Sequence, residues 1–62
     1  MFIKVVARDF SVESAIPANL DRDQQILIGY GLLFQEGYVL SEEWKIYLVI
    51  GGVEERLLQA NP

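Results

Sequence analysis

The absence of cysteine and histidine from a chain of only 62 residues is the feature that most restricts how this protein can fold. Domains this small commonly add disulfides or a metal site to a core that is barely sufficient on its own. Disulfides and the usual thiolate or imidazole metal sites are ruled out here. We therefore expect one small domain, residues 1–62, that depends on its hydrophobic core and on a second subunit or a protein partner.

Composition supports an interaction surface and argues against a nucleic-acid partner. The sequence is 52% hydrophobic, which is high for a domain whose size leaves much of its apolar surface exposed. A sizeable exposed apolar patch is therefore expected, and such patches mark interaction sites. The net charge is −4 and the five basic residues are scattered. Since binding to phosphates needs a basic stripe, we expect no nucleic-acid partner.

No stretch of the sequence has the pattern of a membrane span or a signal peptide. The longest apolar run, residues 46–53, is far shorter than the roughly 20 residues that a membrane helix requires. Residues 1–7 alternate in character and lack an apolar core with a cleavage site. We therefore expect a cytoplasmic protein with no membrane partner, and the missing cysteines agree with that compartment.

Hydrophobic periodicity predicts a small α+β domain that begins with a strand. Residues 2–8 alternate, with Ile3 and Val5 on the face that would be buried. Residues 9–20 keep neither a strand nor a helix period, so we predict an ordered loop. The apolar residues expected to anchor that loop are Phe10, Val12 and Ile16.

Residues 21–37 are predicted to form a helix that begins with carboxylates and amides and ends at Gly37. Its buried side would consist of Ile26, Leu27, Tyr30, Leu33 and Phe34. Gly29 and Gly31 disfavour a helix, and the residues around them also alternate as in a strand. A strand here would give the alternative fold, a small all-β barrel with a C-terminal helix.

Residues 38–40 and 44–50 are predicted to form a hairpin. Its residues expected to face the core are Trp44, Ile46, Leu48 and Ile50. A helix that begins at Ser41 is the alternative for this segment. The charges of residues 53–59 suit a short helix. The predicted chain order is therefore β-α-β-β-α, with about three antiparallel strands and the helices on one face.

No pattern in the sequence marks a catalytic, cofactor-binding or metal site. Asp21 and Asp23 have the spacing of the first calcium-loop ligands, but Ile26 and Leu32 occupy the positions that need glycine and glutamate. The two Glu-Glu pairs would need a substrate cleft for hydrolytic chemistry, and a chain this short rarely forms one. We therefore expect no enzyme activity, no catalytic residues, no cofactor and no metal.

The second face of the two best-defined strands carries the candidate interface. Phe2 and Val6 lie on that face of the first strand, and Tyr47 and Val49 lie on that face of residues 44–50. A monomeric antiparallel sheet normally exposes polar residues there. We therefore predict a non-catalytic protein–protein interaction, regulatory or accessory module that self-associates as a homodimer or binds a protein partner through these four residues. The alternative is a small-molecule or enzymatic site formed only at an oligomer interface.

Overall fold

The computed structural model describes residues 1–38 and 43–60, which form an open four-stranded antiparallel sheet with one helix on one face. The elements in chain order are β1 (Phe2–Ala7), β2 (Ser11–Ala15), α1 (Arg22–Gln35), β3 (Trp44–Ile50) and β4 (Val53–Ala60). The strand order in the sheet is β2-β1-β3-β4. The fold is therefore a small α+β arrangement in which α1 connects two hairpins.

The predicted chain order β-α-β-β-α is wrong, and so is the barrel alternative. The sheet has free edges at β2 and β4, so the strands do not close into a barrel. The predicted loop, residues 9–20, contains β2, and the predicted short helix, residues 53–59, lies within β4. In the described part of the chain the sheet has four strands rather than three, and one helix rather than two.

The turn between β3 and β4 explains why residues 53–59 form a strand. Gly51 and Gly52 have φ angles of 56° and 82°. Two consecutive positive φ angles are what a type I′ hairpin turn requires. Ile50 pairs with Val53 across this turn, and both side chains are exposed at the end of the sheet. Pairing with β3 therefore overrides the weak helical preference of the sequence that follows the turn.

The predicted hairpin between residues 38–40 and β3 is also wrong. β1 and β4 occupy the two sides of β3, so no edge of β3 remains for a third neighbour. Tyr38 belongs to no strand. Val39 and Leu40, and Ser41 as the alternative helix start, lie outside the described residues.

β2 forms through its pairing with β1 rather than through its own pattern. Its sequence, Ser-Val-Glu-Ser-Ala, has one large apolar residue, Val12, which lies opposite Val5. A strand at the edge of a sheet needs partners for only one row of backbone groups, so a short polar segment suffices. The predicted anchors Phe10, Val12 and Ile16 all pack against the core.

Both ends of α1 are stabilised by capping motifs. Asp21 Oδ1 accepts the backbone N–H of Gln24 at 2.9 Å, and the Gln24 side chain accepts the N–H of Asp21 at 3.1 Å. This is a capping box. At the other end, Gly37 has a φ of 77°, and its N–H and that of the next residue bond to carbonyls in the last turn of the helix. Gly37 is therefore the C′ residue of a Schellman motif.

The side of α1 that faces the sheet is centred on Gly29, with Gln25 and Leu33 buried one turn before and after it. Leu27 is 66% exposed and Phe34 is 61% exposed, so the predicted buried side was wrong for these two residues. The amide of Gln25 donates to the carbonyl of Leu20 at 3.1 Å, which explains how a polar residue is accommodated there.

Gly29 and Gly31 should respond in opposite ways to substitution by alanine. A Cβ at Gly29 would lie 2.7 Å from Cγ2 of the fully buried Ile46, whereas a Cβ at Gly31 would meet nothing within 4 Å. Both substitutions gain the same helix propensity, so their difference isolates the clash. We expect Gly29→Ala to be less stable than Gly31→Ala by about 1–3 kcal/mol. Thermal unfolding of the two variants checks this, and equal melting temperatures would contradict the packing.

The core lies between α1 and the face of the sheet that α1 covers, which is called the inner face here. Its buried residues are Ile3, Val5, Leu33, Trp44, Ile46, Leu48 and Leu57.

Leu57 is the extra residue of a β-bulge in β4, opposite the step from Ile46 to Tyr47. Its carbonyl accepts a hydrogen bond from Nη2 of Arg22 at 2.8 Å. The first turn of α1 is therefore tied to the bulge.

Candidate functional site

The opposite face of the sheet, called the outer face here, is not covered by any described element. The strand registers place twelve residues on it. They are Ser11, Glu13 and Ala15 from β2; Phe2, Lys4 and Val6 from β1; Lys45, Tyr47 and Val49 from β3; and Glu54, Arg56 and Gln59 from β4. The four predicted interface residues are all among them.

These twelve residues form three rows that cross the four strands. The first row is Ala15-Phe2-Val49-Glu54, the second is Glu13-Lys4-Tyr47-Arg56 and the third is Ser11-Val6-Lys45-Gln59. The apolar residues are concentrated on the two central strands, β1 and β3. The charged residues Glu13, Glu54 and Arg56 lie on the two edge strands. The central strands of the outer face therefore carry four apolar residues and two lysines, Lys4 and Lys45, and the other charged residues lie at its sides.

The apolar middle of the outer face is built from the predicted interface residues. Phe2 lies directly opposite Val49 in the register and is 44% exposed. Val6, Tyr47 and Val49 are each partly buried by their neighbours in the sheet. Cross-strand apolar pairs stabilise a sheet, but their upper surface still faces water when nothing covers them. Phe2 is therefore the exposed residue of an apolar patch whose other three side chains are partly exposed.

Lys4 is held in place at the centre of the outer face. Its Nζ donates to Oε2 of Glu54 at 2.7 Å, and Glu13 lies directly opposite Lys4 on the neighbouring strand. The hydrogen bond to Glu54 raises the pKa of Lys4 above its usual value of 10.5, and the charge of Glu13 raises it further. Lys4 is therefore positively charged at neutral pH, and its charge is balanced within the monomer.

Three further features of the described residues bear on chemistry. Asp21 and Asp23 occupy the N-cap and the first turn of α1, where carboxylates stabilise a helix. Within residues 1–38 and 43–60, no group of three or more His, Cys, Asp or Glu residues is placed to hold a metal ion. The described surface has an open cleft of about 190 Å³, below the about 300 Å³ at which ligand pockets begin. Its lining residues are Val6, Ala7, Arg8, Glu43, Trp44 and Lys45.

A second exposed apolar surface lies on the side of α1 that faces away from the sheet. It consists of Leu27, Gly31 and Phe34 and is called the helix stripe here. The sequence placed Leu27 and Phe34 in the core, so this surface was not expected. None of the helices in the described ranges has the length and apolar character that a membrane span needs.

Sequence reasoning missed the charged sides of the outer face. Glu13 lies on β2, which was predicted as a loop, and Glu54 and Arg56 lie on β4, which was predicted as a helix. The Gly51-Gly52 pair was the signal that points to the β3–β4 hairpin and therefore to the position of Arg56. No comparable signal marked β2.

Comparisons with protein-family models, with curated proteins and with solved structures give no match for this chain.

Proposed function

We propose that this protein is a non-catalytic interaction module, regulatory or accessory in role, that self-associates as a twofold dimer through the outer face of its sheet. The observation that carries the proposal is the uncovered apolar middle formed by Phe2, Val6, Tyr47 and Val49. An antiparallel sheet that stays solvated on one face normally carries polar residues there. A second copy stacked on this face would bury the patch in the manner of a two-sheet sandwich.

The size of the outer face supports a weak dimer. Four strands about 4.8 Å apart, each contributing about six residues at about 3.3 Å, give a projected area of about 400 Å² per chain. The accessible area of side chains exceeds this projection, but it stays at the low end of specific interfaces, which bury about 800 Å² per partner. We therefore expect a dissociation constant in the micromolar range rather than an obligate dimer.

Charge distribution favours a second copy over single-stranded nucleic acid on this face. The basic residues Lys4, Lys45 and Arg56 and two aromatic rings are features that nucleic-acid platforms use. Lys4, however, is paired with Glu54, and Glu13 lies beside it. These two carboxylates on the outer face repel a phosphate backbone, whereas a self-complementary surface needs both signs of charge.

The helix stripe is the other surface through which copies of the chain can meet. It offers two large apolar residues, Leu27 and Phe34, with Gly31 between them. The outer face offers four apolar side chains on adjacent strands, flanked by charges of both signs. We therefore assign self-association to the outer face, and a substitution on the helix stripe provides the matched control.

The proposal includes a cytoplasmic location, since a chain without cysteine depends on no oxidising compartment. Fractionation of cells that express the tagged chain tests this part. Recovery in a secreted or membrane fraction would overturn it without affecting the proposed dimer.

Sedimentation velocity of the wild-type protein tests self-association directly. Between about 1 µM and about 500 µM we expect the weight-average mass to rise from that of a monomer towards that of a dimer. A monomer throughout this range would overturn the proposal. A labelled single-stranded oligonucleotide is titrated in the same buffer. If it binds more tightly than the chain binds itself, and if Tyr47→Ala abolishes that binding, the outer face belongs to nucleic acid instead.

A further inference from the structure

We infer that the two copies stack with their twofold axis parallel to the strands, between β1 and β3, so that Glu13 of each copy lies against Arg56 of the other. This inference rests on the proposed self-association and specifies its geometry. It follows from the order of the strands and from the positions of the charges on the outer face. The occupant of the outer face is therefore a second copy in one defined orientation.

The strand order makes this stacking complementary. For two sheets packed face to face, a twofold axis must lie in the plane between them. An axis along the strands exchanges β2 with β4 and β1 with β3, because the sheet order is β2-β1-β3-β4. Within the second row, Glu13 then meets Arg56 of the second copy, and the register position of Lys4 lies over that of Tyr47. Glu13 and Arg56 form an ion pair between the copies, while Lys4 keeps its ion pair with Glu54 of its own copy.

The apolar residues match in the same arrangement. In the first row, Phe2 lies over Val49 of the second copy, and Val49 lies over the second copy's Phe2. In the third row, Val6 lies over the aliphatic stem of Lys45, which leaves the ammonium group free to reach solvent. Phe2, Val6 and Val49 of the apolar middle are therefore covered by apolar groups, and Glu13 is paired with Arg56 of the second copy.

A twofold axis perpendicular to the strands gives the opposite result. Such an axis through the second row places each of its residues over the same residue of the second copy. Glu13 then meets Glu13, Lys4 meets Lys4 and Arg56 meets Arg56. Like charges placed directly opposite each other at an interface are unfavourable. The charges of the second row therefore distinguish the two orientations.

Charge reversal at positions 13 and 56 tests the orientation. Glu13→Arg places an arginine against Arg56 of the second copy, and Arg56→Glu places a glutamate against Glu13. Since the dimer contains each contact twice and both lie at its exposed sides, we expect each single variant to raise the dissociation constant about tenfold. The double variant Glu13→Arg/Arg56→Glu restores both ion pairs with reversed sign. We expect it to return the constant to within about threefold of wild type.

Glu55→Arg is the matched control, because Glu55 is an exposed carboxylate on the same edge strand as Arg56 but pairs with Leu48 on the inner face. It changes the net charge as much as Glu13→Arg and should leave the dimer unchanged. Circular dichroism and thermal unfolding establish that each variant is folded.

Sedimentation of these variants separates the orientation from the dimer itself. Single variants that weaken the dimer and a double variant that restores it support the axis along the strands. A wild-type dimer that neither single variant weakens would overturn the orientation and leave self-association standing. Single variants that weaken the dimer without restoration in the double variant would overturn the pairing of Glu13 with Arg56. A wild type that stays monomeric would overturn the proposed function itself.

Discussion

Trp44→Ala is expected to unfold the domain or to leave it without fixed tertiary packing. Trp44 is 4% exposed at the start of β3, and its ring meets that of Tyr30 edge to face at a centroid distance of 5.6 Å. Truncation of a buried aromatic residue costs about 3–5 kcal/mol. At about 0.05–0.15 kcal/mol per residue, the whole 62-residue chain has about 3–9 kcal/mol of stability. The free-energy cost of the substitution is therefore comparable with the whole free energy of unfolding of the domain.

Near-UV and far-UV circular dichroism measure this effect, because the tyrosines still report on packing after the tryptophan is removed. Phe34→Ala is the control, since Phe34 is an aromatic residue on the exposed side of α1. We expect it to change stability by less than about 0.5 kcal/mol. A Trp44→Ala protein that keeps its near-UV signal and melts within a few degrees of wild type would show that the helix–sheet core does not depend on this ring.

The central strands were predictable because alternation alone determines them. Ile3 and Val5 in β1, and Ile46 and Leu48 in β3, recur every second residue, and all four are buried in the structure. This pattern also places Tyr47 and the other interface candidates on the outer face without any knowledge of the rest of the fold. The apolar middle of the candidate site was therefore accessible from the sequence.

The edge strands were not predictable in the same way, since neither has an alternating apolar pattern of its own and each forms by pairing with the strand that precedes it in the chain. β2 is polar and short, and it forms a strand because its backbone pairs with that of β1. In β4, the Glu54-Glu55 pair followed by Arg56 suits a helix, yet the Gly51-Gly52 turn brings this segment back onto β3. The charged sides of the outer face depend on these two strands, so the proposed orientation of the dimer needed the structure.

The orientation of α1 was mispredicted in part, because a polar and a small residue, Gln25 and Gly29, lie beside Leu33 in its contact with the sheet. Hydrophobicity favours a buried side that includes Leu27 and Phe34, but the helix approaches the sheet through Gly29. Because glycine has no side chain, the helix backbone can lie against Ile46 at this point. A hydropathy pattern does not report such a close approach. Leu27 and Phe34, which were predicted to be buried, are instead the exposed apolar residues of the helix stripe.

Phe2→Glu is expected to dissociate the proposed dimer while leaving the monomer folded. Phe2 is 44% exposed in the monomer, so a glutamate there remains in water and costs the fold little. In the dimer the same carboxylate would be covered by Val49 of the second copy, with no partner for its charge. We expect the dissociation constant to rise at least about 100-fold, which corresponds to about 2.7 kcal/mol. Tyr47→Glu is a less decisive variant, because Lys4 and Arg56 lie on either side of it.

Leu27→Glu is the control for this experiment, because it makes the same exchange of a large exposed apolar residue for glutamate on the helix stripe. Sedimentation velocity at about five times the wild-type dissociation constant should then show Phe2→Glu as mainly monomer and Leu27→Glu as mainly dimer like the wild type, with both variants folded by circular dichroism. The reverse result, in which Leu27→Glu is monomeric and Phe2→Glu still associates, would transfer the interface from the outer face to α1. Since the two substitutions change net charge equally, a difference between them reports the position of the interface rather than a general effect of charge.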